Sequence, residues 1–167
     1  SSFLSDSEIG QLLHLVALLK KKELGFLMVD SSIGYLSKYA DRVVVVKNGR
    51  SFWAFERGEL NDAVLKSCFS REDGVNLPLE TRGAVAAGSE KSEVLVFDQV
   101  QSGALDNLSF TLYRGEELCI FDREGQGIEE IKALLSGERR AEVGRILSDG
   151  VPFTARNVWE ALDQKVA

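Results

Sequence analysis

A single histidine and two cysteines leave this chain with few of the side chains that hold transition metals or build disulfide frameworks. Cys68 and Cys119 stand far apart without metal-ligand spacing, so no metal site is expected, and their scarcity fits a reduced, cytoplasmic setting. No apolar run reaches the ~18 to 20 residues that cross a bilayer, and Ser1 to Ser7 lack the charged and apolar regions of a signal peptide. No direct membrane insertion is therefore expected. Basic stripes are missing as well: 20 Lys and Arg face 26 Asp and Glu for a net charge of -6, which sets nucleic acid aside as a partner. The longest basic run, Lys20-Lys21-Lys22, ends an apolar-periodic helix, where cations suit the helix dipole.

What the chain does have is 44% hydrophobic residues in 167, enough for one substantial core. Ser5 with Glu8 three residues later is an N-cap pattern, and Ile9, Leu12, Leu13, Val16 and Leu19 recur at helical spacing up to about Lys22. The continuous apolar run Phe26 to Val29 predicts a strand covered on both faces. A short helix over about Ile33 to Ala40, a strand Val43 to Val46, the turn Lys47-Asn48-Gly49 and a return strand Ser51 to Glu56 follow, with a helix from Glu59 to about Ser67. From Phe69 to Ser92, glycines, Pro78, small residues and scattered charges mark a linker. Beyond it, Glu93 to Phe97 and Leu105 to Tyr113 predict an antiparallel pair. A third strand, Leu118 to Phe121, runs into Asp122-Arg123-Glu124-Gly125-Gln126-Gly127 and a helix from Ile128 to about Ser136. Gly144 to Gly150 predicts a strand and turn, and Thr154 to Leu162 a short helix capped by Thr154.

The order of these pieces is specific where each alone is not. Ser2 to Gly25, Asp30-Ser31-Ser32-Ile33, Ala40-Asp41-Arg42-Val43 and Asn48-Gly49-Arg50 are followed by Leu105 to Leu112, Arg114-Gly115-Glu116, Gly125-Gln126-Gly127 and Gly144 to Gly150. In that order the sequence resembles the tandem ATP-binding-cassette ATPases of bacterial ribose- and galactose-type sugar importers. The resemblance implies that residues 1–68 match the end of a first cassette from its D-loop helix onward, 69–92 the linker, and 93–167 the start of a second cassette. It also implies an α/β, P-loop NTPase-like partial core: a mainly parallel sheet with helices on its faces and a small antiparallel unit, with the two parts folding as one domain. The strand Leu118 to Phe121 is expected to insert between Phe26 to Val29 and Val43 to Val46, a circularly permuted arrangement of half-cassettes. If that pairing forms between two chains instead, the result is a domain-swapped dimer.

Departures from the family lie where its chemistry is done. A working phosphate loop reads Gly-x-x-Gly-x-Gly, then Lys or Arg, then Ser or Thr, because amides cradle the phosphates, the cation neutralises them and the hydroxyl holds magnesium. The matching positions here are Asp122, Gly125, Gly127, Ile128 and Glu129, around Gln126. A carboxylate ~4 Å from a phosphate costs about 4 kcal/mol at an effective dielectric near 20. ATP is therefore expected at most weakly, and no other cofactor. The family's phosphate-sensing histidine is matched by Ser31, and His14, in mid-helix, is not expected to replace it. Carboxylates Glu124, Glu129 and Glu130 are read as complements of the helix dipole, the trio Glu116, Glu117 and Asp122 as solvated surface, and Leu135-Ser136-Gly137 as a helix C-cap.

Three functional readings follow. The first is a non-catalytic, regulatory or structural cassette that binds a protein: a permease, a second cassette or a signalling domain. It would be cytoplasmic, held at the inner face of the membrane only through a permease. The second is a piece of a protein that energises sugar import through an intact cassette elsewhere. The third is a small-ligand sensor with Phe97 or Trp53 as stacking residues, although both suit a core.

Overall fold

The computed structural model describes residues 6–31, 39–59, 61, 63–64 and 92–166. The N-cap at Ser5, the linker, and most of the helices expected at Ile33 to Ala40 and Glu59 to Ser67 lie outside the described residues. In order, the chain forms α1 (Asp6–Lys20), β1 (Phe26–Asp30), β2 (Arg42–Lys47), β3 (Arg50–Glu56), β4 (Glu93–Ser102), β5 (Leu105–Tyr113), β6 (Glu117–Asp122), α2 (Gln126–Leu135), β7 (Val143–Ser148), β8 (Val151–Pro152) and α3 (Val158–Asp163).

Two four-stranded sheets result, ordered β1-β6-β2-β3 and β5-β4-β7-β8. In the first, β6 runs parallel to β1 on one side and to β2 on the other, pairing Leu27 with Leu118 and Val44 with Ile120. The expected insertion of the later strand between the two earlier ones is thus observed. Within this sheet only the β2–β3 pairing is antiparallel, whereas every pairing of the second sheet is antiparallel, so the two sheets together are mixed rather than mainly parallel. The antiparallel unit is larger than expected because β4 continues to Ser102, past register shifts around Gln99, and also accepts β7. Asn48 and Gly49 both hold positive φ, 52° and 72°, the geometry of a two-residue hairpin turn.

Continuous apolar runs pay off where both faces are covered. All six residues of β6 are buried, and its alternate side chains feed two cores. Leu118 and Ile120 join Val44, Val46, Phe97, Leu108 and Ile131 between the sheets, whereas Cys119 and Phe121 join Ala40, Val43 and Val45 on the opposite face. Phe97 stacks on Phe110 with centroids 4.5 Å apart. α2 lays Ile128, Ile131 and Leu134 on the core and ends with Ser136 and a left-handed Gly137, the C-cap expected from sequence.

Two helices differ from expectation. α1 stops at Lys20, and of its leucines Leu12, Leu15 and Leu18 are exposed while Val16 is buried, so apolar residues occupy more than the covered stripe. The last helix begins at Val158, capped by Asn157, whose side chain accepts from the Glu160 N–H. Thr154 is not the cap; its N–H donates to the Gln164 side chain. Leu118 has no exposed surface, so Leu118→Ala is expected to destabilise the chain by about 2–5 kcal/mol. The check is a lowered urea midpoint in one transition, because its core is shared by both sheets.

Candidate functional site at the ends of the parallel strands

Parallel strands β1, β6 and β2 bring their carboxyl ends to one edge, where Asp30 pairs with Phe121 and Val46 with Asp122. Ser31 and the phosphate-loop residues therefore lie at the same edge, the usual place for ligands in such sheets. There β6 passes directly into α2 through a tight turn. The Gly125 N–H donates to the Asp122 carbonyl, and Gly125 takes φ 73°, which a residue with a Cβ rarely adopts. A Cβ on Gly127 would meet Asp122 Oδ2 at 2.9 Å. The turn thus favours glycine at 125 for its backbone conformation and at 127 for the close approach of Asp122.

Asp122 decides the chemistry of this turn. Its buried carboxylate accepts the Gly127 N–H at 2.8 Å through Oδ2 and the Glu124 N–H at 3.1 Å through Oδ1. Amides of the kind that would cradle a phosphate instead hold an internal anion. Ile128 is buried, Gln126 is exposed, and Glu129 is exposed and paired with Lys132 at 2.8 Å. Glu130, expected to complement the helix dipole, is buried and accepts from Ser102 Oγ at 2.5 Å and from Arg139 at 2.7 Å.

A second charged group occupies the opposite, amino ends of β2 and β6. Glu116, Glu117 and Asp122 had the look of solvated surface; all three are buried. Glu116 takes a two-pronged contact from Arg42, 2.8 Å from Nε and 3.1 Å from Nη2, and also accepts the Tyr113 N–H. Arg42 further donates to the Thr111 carbonyl and lies over the Tyr113 ring. Asp41 receives Lys20 at 2.5 Å, Arg57 at 2.7 Å and the Glu117 N–H at 2.9 Å. Burial tends to raise its pKa, but the hydrogen bonds from Lys20 and the Glu117 amide, with the charges of Lys20 and Arg57, outweigh this and hold it below the usual aspartate value. Lys20 thus does more than suit a helix dipole. Partners 21, 74 and 76 residues apart in sequence gave no local signal.

The remaining candidates have plain structural roles. Burial, helped by the charges of Asp30 and Glu117, pushes the Cys119 thiol up to about 12; Cys68 lies outside the described residues. His14 is exposed, Phe97 is core, and half-buried Trp53 packs on the smaller core. A cleft of about 660 Å³ opens beside β1, lined by residues such as Leu19, Leu27, Leu112, Ile131, Leu135 and Val166, but by neither aromatic and by none of Asp122 to Gly127. Among the described residues no His, Cys, Asp and Glu group could hold a metal, and no helix is long and apolar enough to cross a membrane.

No family model matches the chain, and no solved structure matches it. Curated relatives do. The ribose import ATP-binding protein of Lacticaseibacillus paracasei is 28% identical over 166 residues, 98% of this chain and 32% of the relative. The galactose/methyl galactoside import ATP-binding protein of Photobacterium profundum is 26% identical over 168 residues, 100% of this chain and 33% of the relative. The arabinose import ATP-binding protein of Pseudomonas syringae is 27% identical over 168 residues, with 98% and 32% covered. The chain is similar to sugar-import ATP-binding proteins. It spans about a third of the length of these relatives. The likeness runs through both parts of the chain, and the mixed α/β architecture fits a partial P-loop fold.

Within that likeness, the turn at Asp122 can be tested directly. Asp122→Ala leaves the buried Gly127 N–H without its acceptor, and a loss of about 1–3 kcal/mol is expected. Asp122→Asn keeps an acceptor oxygen and is expected to cost less, with urea unfolding of the two variants giving the order.

Proposed function

We propose that this chain is a non-hydrolysing cassette module derived from a sugar-import ATP-binding protein, acting as a regulatory or structural unit that binds a protein. One observation carries the reading: the turn's amides already hold the carboxylate of Asp122, while Ile128 and Glu129 stand where a cation and a magnesium hydroxyl are needed. Ser31 at the same edge offers no imidazole. With these groups in place, triphosphate meets a fixed like charge and an isoleucine at the family's cation position, so ATP binds weakly at best. The placement of β6 between β1 and β2 supports a circularly permuted union of two half-cassettes in one fold. A swap of β6 between two chains would give the same pairing in a dimer. On this reading the partner is a permease, a second cassette or a signalling domain, with a permease holding the chain at the inner face of the membrane; the relatives' names as import proteins support a partner in a transport system.

A second reading is favoured by the coverage of about a third of each relative. In it the chain is part of a longer ATP-binding protein that energises sugar import through an intact cassette outside residues 1–167. ATP hydrolysis by the longer polypeptide, abolished by changing a phosphate-loop lysine outside these residues, separates it from the first.

Isothermal titration of the chain with Mg-ATP at millimolar concentration is expected to give no saturable heat. The triple variant Asp122→Gly, Ile128→Lys, Glu129→Ser is expected to gain binding. Saturable binding by the unchanged chain, weakened by substitution at Gly127, would sink the proposal.

A further inference from the structure

Glu117 opens β6 at the point where the strand enters between β1 and β2, and only 4% of it is exposed. Charged groups reach it from three neighbouring parts of the fold: Lys20 from the last turn of α1, Asp41 from just before β2, and Arg57 from just after β3. Asp41 takes the short contacts of this group, Lys20 at 2.5 Å and Arg57 at 2.7 Å, together with the backbone N–H of Glu117 itself. Glu117 is left with Lys20 at 3.5 Å from Oε2, while its buried Oε1 has no hydrogen-bond partner. Two carboxylates therefore compete for one ammonium, and Glu117 loses. On the same face the Cys119 thiol stays neutral and adds no further negative charge.

An ionised carboxylate with an unpaired, buried oxygen is costly, and protonation removes that cost. We propose that Glu117 is a proton-sensitive latch on the seam where β6 joins β1 and β2, with the seam tightest when its carboxyl is neutral. Burial, opposed by Lys20 but reinforced by the charge of Asp41, raises the pKa of Glu117 above the ordinary glutamate value. The folded chain thus holds this proton more tightly than the unfolded chain. Stability is greatest below the unfolded value and falls as pH rises through the folded one. Asp41 behaves oppositely: its contribution is present above the unfolded aspartate value and is lost as pH falls through its lowered folded value.

Urea unfolding of the whole chain and of Glu117→Gln across about pH 4 to 8 tests it. The unchanged chain is expected to show an unfolding constant that rises with pH just above the ordinary glutamate value, by up to about tenfold per pH unit. Glu117→Gln is expected to lose that slope and to be at least as stable as the parent at neutral pH. Persistence of the slope in the variant, or failure of the variant to fold at neutral pH, overturns the proposal. A carbon-detected NMR titration of the parent gives an independent reading: a Glu117 midpoint above that of ordinary glutamates supports the latch, and one at or below it overturns the latch.

Discussion

The fold depends on one strand, β6, being held between two strands that precede it by some 70 to 90 residues. β1 and β2 do not pair with each other; each pairs with β6, so the first sheet has no continuous hydrogen-bond ladder without it. The same strand supplies side chains to both cores, Leu118 and Ile120 on one face and Cys119 and Phe121 on the other. Its burial on two faces and pairing on two edges leave none of its residues to solvent, and every side chain it carries needs a partner.

That requirement explains the charges at either end. Glu116 lies just before the strand, and Glu117 and Asp122 are its first and last residues, and all three are buried. Three carboxylates in such a position are tolerated only where opposite charge or amide donors satisfy them. Glu116 is satisfied by Arg42 and the Tyr113 amide, and Asp122 by the amides of Glu124 and Gly127. Glu117 is satisfied only in part: Lys20, held closer by Asp41, reaches its Oε2 at 3.5 Å, and its Oε1 has no hydrogen-bond partner. Several of these contacts, among them Lys20 to Glu117, Arg42 to Glu116 and Ser51 to Ser109, join the part of the chain before the linker to the part after it. The exposed pair Arg50 and Asp106 does the same but is worth at most about 1 kcal/mol, as surface pairs generally are.

Much of this scaffold was legible in the sequence because strands and turns are written locally. The valine run of β2, the Asn48-Gly49 turn, the alternation along β5 and the strand-to-helix glycines each carry their structure within a few residues. The insertion of β6 came from the family resemblance, not from the pattern. What stayed hidden was burial of charge. Glu116 and Glu117 follow a glycine turn and look solvated until Arg42 and Lys20 arrive from 74 or more residues away, and Glu130 looks like a first-turn acid until Ser102 and Arg139 enclose it. Local rules also misplaced one cap: Asn157 with Glu160 three residues later is the better pattern, and Thr154 drew attention only by coming first.

The turn after β6, which matches the phosphate loop only through the family resemblance, is held by its own residues. An α-helix presents unpaired N–H groups at its start, and something must accept them. In a phosphate-binding loop a ligand can do so, and the empty loop is then solvated. Here the Asp122 side chain accepts the Gly127 amide at the helix start and the Glu124 amide before it, so part of the turn's hydrogen bonding is met within the chain. Ile128 adds to this by burying an aliphatic side chain against the core in place of an exposed cation, and Glu129 pairs with Lys132 one turn on. Gly125 and Gly127 persist for reasons of backbone conformation and close approach that hold whether or not a phosphate is bound. Asp122, Gly125, Gly127, Ile128 and Glu129 therefore each have a structural role that is independent of nucleotide, and with Asp122 on the Gly127 amide less room remains there for any other anion.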